Sequence, residues 1–118
     1  MKINYAIIFV SDMTRSVSFY KNILGLPLKF ESKEWTEFAT EDVTLALHIS
    51  DAVNPNPVQP ERAGICRWGF QVPNLDEFHI RMIENNVLCQ KEPTVVFGSK
   101  VAQYIDPDGM IFSVGEAA

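Results

Sequence analysis

Residues with metal-binding or redox side chains are scarce in this chain. Its 118 residues include only two histidines and two cysteines. Cys66 and Cys89 are too few for a disulfide framework, so we expect both thiols to be reduced, as in a cytoplasmic protein. A centre rich in histidine or cysteine is therefore hard to build from this composition.

The sequence also lacks a long hydrophobic run and an excess of basic residues. Its longest apolar run, Ala6 to Val10, is far shorter than the roughly 20 residues that a membrane-spanning helix needs. The N-terminal residues show no secretory signal pattern. Ten Lys and Arg stand against 15 Asp and Glu, a formal net charge of −5. These absences argue against membrane insertion and against nucleic acid as a partner.

The hydrophobic content is sufficient for folding. Hydrophobic residues make up 47% of the chain, which argues against disorder and is enough for one packed core. We therefore expect residues 1–118 to form a single domain.

The first half of the chain predicts a strand, a helix and three strands. Asp12 is a candidate N-cap, and Gly25 supplies the left-handed stop of the helix. Between them, apolar residues recur on one helical face, at Met13, Val17, Tyr20 and Leu24. The predicted strands are Asn4 to Val10, Leu26 to Glu31, Glu34 to Ala39 and Val43 to Ile49.

The same order of elements is predicted again in the second half. A proline-rich stretch interrupts the pattern, so we predict a first module at 1–50, a linker or lid at 51–64 and a second module at 65–118. The copies align at an offset of about 62 residues, at which Val10 corresponds to Val72. Asn74 is the candidate cap of the second helix, which ends at Asn85-Asn86. The second set of strands is Ile65 to Val72, Cys89 to Lys91, Val95-Val96, Lys100 to Ile105 and Met110 to Gly115.

Two segments carry a resemblance to a known superfamily. The first is Val10-Ser-Asp-Met-Thr-Arg-Ser-Val-Ser-Phe-Tyr20 with Leu24-Gly-Leu26, and the second is Tyr104-Ile-Asp-Pro-Asp-Gly109 before a final strand. At this spacing the chain resembles the vicinal-oxygen-chelate proteins, which include glyoxalase I, bleomycin resistance proteins and extradiol dioxygenases. The resemblance implies an α+β fold of two βαβββ modules that form an open half-barrel cup. It also implies a homodimer.

In enzymes of that superfamily, four side chains inside the cup hold a divalent metal ion. The corresponding positions here are Tyr5, Arg67, Ser113 and either Ala46 or His48, two residues further on the same face. A guanidinium group has only donors and alanine has no ligand atom. We therefore expect no metal and no cofactor, with a divalent metal ion as the alternative.

Side-chain alternation then predicts what lines the cup. If Tyr5 and Arg67 point inward, so do the residues at every second position of their strands. That face mixes aromatic, small and hydrogen-bonding groups, as ligand pockets do. The ligand-binding candidates are Tyr5, Ile7, Phe9, Ala46, His48, Arg67, Gln71 and Ser113.

The sequence leaves several roles open. Arg67 could bind an anionic or carbonyl-bearing ligand, or it could pair with an acidic residue such as Glu37. His48 could act as a general base or simply be hydrogen-bonded by a neighbour. Tyr5 and Tyr104 could stack on an aromatic ligand or pack in the core.

Three functions are compatible with these residues. The favoured hypothesis is a small-molecule-binding protein that sequesters an organic ligand without a metal. The alternative is a metal-dependent lyase, isomerase or dioxygenase of the glyoxalase type. A third interpretation is a protein-interaction module in which the cup no longer binds a ligand. No catalytic residue is assigned.

Overall fold

The structure of the protein, a computed structural model, describes residues 1–52, 61 and 63–118. The chain divides into two compact units, Met1–Pro55 and Asn56–Ala118, which are called module one and module two below. Most of the predicted linker or lid at 51–64 lies outside the described residues. Each module is described below by itself.

Module one is a mixed four-stranded sheet with a helical segment. Its strand order is β1-β4-β3-β2, in which β1 and β4 are parallel and the other pairs are antiparallel. The elements are β1 (Tyr5–Val10), α1 (Met13–Ser18), a π-helical turn (Phe19–Ile23), β2 (Leu28–Glu31), β3 (Trp35–Phe38) and β4 (Thr44–Ile49).

The helical segment of module one begins as predicted but ends differently. The Asp12 side chain accepts a hydrogen bond from the Arg15 amide at 3.0 Å, which confirms the predicted N-cap. The predicted single helix instead widens into a π-helical turn, in which the Leu24 amide donates to the Phe19 carbonyl. The wider turn allows two consecutive aromatic residues, Phe19 and Tyr20, to be buried with their rings edge to face.

Module two repeats this architecture. Its strand order is β5-β8-β7-β6, again with one parallel pair, β5 and β8. The elements are β5 (Gly69–Val72), α2 (Leu75–Glu84), β6 (Leu88–Val96), β7 (Ser99–Ile105) and β8 (Ile111–Glu116). The prediction of a βαβββ unit written twice is therefore confirmed.

Two strands of module two differ from their predicted bounds. The strand predicted from Ile65 begins only at Gly69, because its ladder with β8 starts at the Gly69 and Ser113 pair. The two short strands predicted between Cys89 and Val96 form one strand, β6. Register shifts along β6 explain why its apolar residues do not alternate regularly.

The pairing register supports the internal repeat. Ile7 of β1 lies opposite Ala46 of β4, and Gly69 of β5 lies opposite Ser113 of β8. Ile7 and Gly69 are equivalent at the offset read from the sequence. The positions compared between the two halves are therefore equivalent in the two sheets.

Each sheet has one face covered by its own helix. In module one, α1 contacts β4, and the covered side chains include Ile8, Val10, Phe38, Leu45 and Leu47. In module two, α2 contacts β6, β7 and β8 over a core that includes Leu75, Met82, Tyr104, Phe112 and Val114. Within the described part of the chain, no helix is long and apolar enough to cross a membrane.

Candidate functional site

The uncovered side of the module-one sheet exposes large apolar side chains. Along β1, Tyr5, Ile7 and Phe9 are exposed while Ile8 and Val10 are buried, so alternation places the first three on the open side. Phe9 is 63% exposed. We call this side the module-one face; its residues are Tyr5, Ile7, Phe9, Phe30, Trp35, Glu37, Thr44, Ala46 and His48.

Four aromatic rings form a continuous row on the module-one face. Trp35 of β3 lies directly opposite His48 of β4, and their ring centroids are 6.0 Å apart at nearly a right angle. The Tyr5 ring meets the Trp35 ring edge to face at 6.3 Å. The Phe9 ring lies 5.7 Å from the His48 ring. Such edge contacts leave ring surfaces available to a flat ligand.

One carboxylate is fixed beside this row. Glu37 Oε2 accepts a hydrogen bond from the Trp35 indole nitrogen at 2.8 Å. The Lys29 Nζ atom lies 3.9 Å from Glu37 Oε1 and donates to Thr44 Oγ1 at 3.0 Å. The Glu37 side chain is 29% exposed, so the carboxylate is held in place and still reached by solvent.

His48 is exposed on the same face, and one of its ring nitrogens is occupied. Nδ1 lies 2.6 Å from the Ile49 carbonyl oxygen, so it carries the proton and donates. In the neutral ring, Nε2 is then left as an acceptor. Ala46 lies on this side by register but has no exposed surface, because it sits between Ile7 and Glu37 on the neighbouring strands.

The predicted candidates of module two lie on or beside its uncovered face. Gln71 pairs with Gly115, and Ser113 pairs with Gly69. Arg67 lies two residues before β5, and its NH1 nitrogen is 2.7 Å from Glu61 Oε1. The Arg67 hydrogen bond lowers the pKa of the Glu61 carboxyl group.

The structure gives Arg67 an acidic partner, which is one of the two alternatives left open by the sequence. Arg67 pairs with an acidic residue, but that residue is Glu61 and not Glu37, which was suggested as its partner. Residue 61 lies in the proline-rich stretch, which has no periodicity from which this pairing could be predicted.

Tyr104 and the cysteines lie outside the candidate site. Tyr104 is fully buried and its hydroxyl lies 2.9 Å from His79 Nδ1, so it packs in the core. This burial raises the pKa of the Tyr104 hydroxyl. Both cysteines are free thiols, as expected. Cys66 is exposed and lies before the start of β5.

The divalent metal implied by the superfamily does not fit the residues present. Ala46 offers no ligand atom, and Arg67 is a cation that already pairs with Glu61. Glu116 accepts a hydrogen bond from the Leu75 amide and thereby faces the helix-covered side of module two. Among residues 1–52, 61 and 63–118, no three His, Cys, Asp or Glu side chains are grouped so that they could hold a metal ion.

Four side chains of the module-one face, Phe30, Trp35, Glu37 and Thr44, were not among the predicted candidates. Trp35 and Glu37 are two positions apart on β3, and Phe30 of β2 pairs with Glu37. The Trp35 and Glu37 spacing in a predicted strand was the available signal. It was missed because the side on which a short strand presents such a pair depends on its register with the next strand.

Comparison with known proteins identifies the class to which this fold belongs. The model of the Glyoxalase/Bleomycin resistance protein/Dioxygenase superfamily matches residues 2–114. The chain belongs to this superfamily, as the sequence motifs predicted.

Individual relatives are distant. The metallothiol transferase FosB of Lysinibacillus sphaericus is 25% identical over 114 residues, which cover 93% of this chain and 78% of that protein. A glyoxalase/dioxygenase from Nostoc punctiforme has the same fold, with a TM-score of 0.84 and 22% identity over 99% of this chain and 91% of that one. TnmS3, an antibiotic binding protein from Streptomyces sp. CB03234, has a TM-score of 0.80 and 18% identity, covering 100% of this chain and 97% of that one.

Proposed function

We propose that this protein binds a small organic molecule on an open sheet face and does so without the metal of the superfamily enzymes. The observation that carries the proposal is the exposed aromatic row of module one, in which Trp35 is hydrogen-bonded to a fixed carboxylate, Glu37. Ligand sites are mostly apolar with a few oriented polar groups, and this face has that composition. Similarity in fold to an antibiotic binding protein supports a binding role.

The proposed roles differ between the candidate residues. Tyr5, Ile7 and Phe9 supply apolar surface, and His48 Nε2 supplies an acceptor. Ala46 forms the floor beneath a ligand. In module two, Gln71 and Ser113 offer hydrogen bonds, whereas Arg67 can receive an anionic group only if Glu61 is displaced.

A flat neutral probe tests the proposal. Acridine, titrated by isothermal calorimetry, should bind to the unmodified protein. Its affinity should fall about tenfold in Phe9→Ala, because that change removes an aromatic contact with the ligand worth ~1–2 kcal/mol. Ile80→Ala is the matched control, because Ile80 is an exposed apolar residue on α2 in module two. Absence of binding, or an equal loss in both variants, would contradict the proposal.

Metal-dependent catalysis is the second candidate, and the similarity to FosB favours it. Lyase, isomerase and dioxygenase activities of the glyoxalase type remain the alternatives named by the resemblance. Protein purified without chelator should contain no stoichiometric metal, and Ni²⁺, Zn²⁺, Mn²⁺ or Fe²⁺ should not raise its melting temperature. Stoichiometric metal with stabilisation would favour catalysis over sequestration.

We further propose that the chain forms a homodimer in the cytoplasm. The superfamily resemblance and the exposed apolar side chains Leu88 and Val95 on β6 support association, and the free thiols Cys66 and Cys89 are compatible with a reducing compartment. Sedimentation equilibrium should give twice the chain mass.

A further inference from the structure

The module-one face contains two opposite charges that are held very differently. Glu37 is fixed by the Trp35 indole through Oε2, and within the described part of the chain the charged partner of Oε1 is Lys29, 3.9 Å away. The Lys29 side chain is 53% exposed and its ammonium donates to a threonine hydroxyl. A lysine on a flexible stem can leave for solvent at little cost, whereas the carboxylate stays.

The aromatic rings next to Glu37 favour a positively charged ligand, as the Glu37 carboxylate does. The face of an aromatic ring is negative, so a cation above it is attracted, most strongly above an indole. Trp35 presents such an indole, and its N–H is directed to Glu37 and away from a ligand. Arg67, the candidate residue for binding an anionic ligand, is already paired with Glu61 at 2.7 Å.

From this arrangement we infer that the ligand of the module-one face is a planar organic cation, for which Glu37 serves as the counter-ion. The inference rests on the proposed binding function and narrows it to one chemical class. The cation takes the place of Lys29 at Glu37 Oε1 while its ring system stacks along the aromatic row. The net charge of −5 assists the approach of such a ligand.

Three probes of similar shape but different charge test the preference for a cation separately from binding itself. N-methylacridinium is a permanent cation, acridine is neutral at mildly alkaline pH, and acridine-9-carboxylate is an anion. Calorimetric titration should give an affinity about tenfold higher for the cation than for the neutral probe, as expected from an ion pair and a cation–π contact together. The anion should bind more weakly than either.

Two substitutions on the face should act in opposite directions. Glu37→Gln keeps an acceptor for the Trp35 indole but removes the charge, so N-methylacridinium should bind about fivefold more weakly while acridine is unaffected. Lys29→Gln removes the competing cation and should raise the affinity for N-methylacridinium. Glu31→Gln is the control, since Glu31 pairs with the buried Thr36 and so lies toward the other side of the sheet.

The outcomes are distinguishable. Equal affinity for all three probes, or tighter binding of the anion, would overturn the assignment to cations and leave the binding function standing. An equal effect of Glu31→Gln and Glu37→Gln would show that net charge alone is responsible, and it would also overturn the assignment. If no probe binds, the proposed function fails and the inference fails with it.

Discussion

Phe97 occupies a backbone conformation that its side chain does not favour. Val96 pairs with Ser99, so Phe97 and Gly98 form a two-residue hairpin loop, and their φ angles are +50° and +78°. Positive φ at both positions is typical of a type I′ turn, which prefers Asn-Gly. The Phe97 ring is fully exposed, so no packing of this ring offsets the backbone strain.

Replacing this residue should stabilise module two. Phe97→Asn should raise the free energy of unfolding by about 0.5–1 kcal/mol, because asparagine tolerates the left-handed region at lower cost. Urea denaturation of the two proteins measures the difference. Phe97→Ala removes the ring but keeps a side chain unsuited to this φ, so it should gain little. A loss of stability in Phe97→Asn would show that the ring makes stabilising contacts.

At the residue scale, the sequence predicted the side of a strand on which a residue lies better than it predicted which side chain that residue contacts. Alternation placed Tyr5, Ile7 and Phe9 on one side of β1, since a strand has a period of two whatever surrounds it. The pairing of Arg67 with Glu61 was not predictable, because it depends on the path of a segment without periodicity. The contact between Trp35 and His48 was not predictable for a similar reason, because it is set by strand register and not by spacing along the chain.

At the scale of elements, helix α2 is capped by two side chains from different parts of the chain. Asn74 accepts from the Glu77 amide at 3.0 Å, and Glu116 of β8 accepts from the Leu75 amide at 2.9 Å. A carboxylate at this end also interacts favourably with the helix dipole. Glu116 therefore ties the start of α2 to the last strand of the sheet that the helix covers.

Removing this second cap should cost stability. Glu116→Ala should lower the free energy of unfolding by about 1–2 kcal/mol, because it leaves a partly buried amide without its acceptor. Glu116→Gln keeps an acceptor and should lose less. Chemical denaturation measures both, with Glu84→Ala as the control at the other end of α2. Equal effects of Glu116→Ala and Glu84→Ala would contradict a capping role.

Elements with local signals were predicted well, and elements shaped by packing were not. Asp12 and Asn74 each cap a helix, and the Asp106 carboxylate accepts from the Asp108 and Met110 amides in the turn before β8. These contacts span four residues or fewer. The π-helical turn at Phe19–Ile23 buries two adjacent aromatic residues, Phe19 and Tyr20, and the apolar periodicity of the sequence did not distinguish it from an α-helix.

At the scale of the whole molecule, the buried Tyr104 links folding to alkaline pH. Burial raises the pKa of its hydroxyl in the folded protein above the value of about 10 of an exposed tyrosine. The neutral form is thus favoured by folding. The stability that Tyr104 contributes is fully present below the pKa of an exposed tyrosine and is lost as the pH rises through the higher pKa of the folded protein.

Stability should therefore fall above a pH of about 10, and Tyr104→Phe should make this fall shallower. The variant should also be less stable at neutral pH, because His79 loses its partner. Urea midpoints measured from neutral to strongly alkaline pH give both effects. Tyr5→Phe is the control, since Tyr5 is half exposed. An unchanged alkaline slope in Tyr104→Phe would show that other groups cause it.

The chain holds two tryptophans, and each module contains one of them in a different setting. Trp35 is partly exposed on the module-one face, whereas the Trp68 ring is stacked on the Phe112 ring with centroids 4.9 Å apart. Intrinsic fluorescence therefore arises from two emitters that can be separated by replacing one at a time with phenylalanine. The unlabelled chain thus carries its own optical reporter for each half, and the two emission signals can show whether the halves melt together or one after the other.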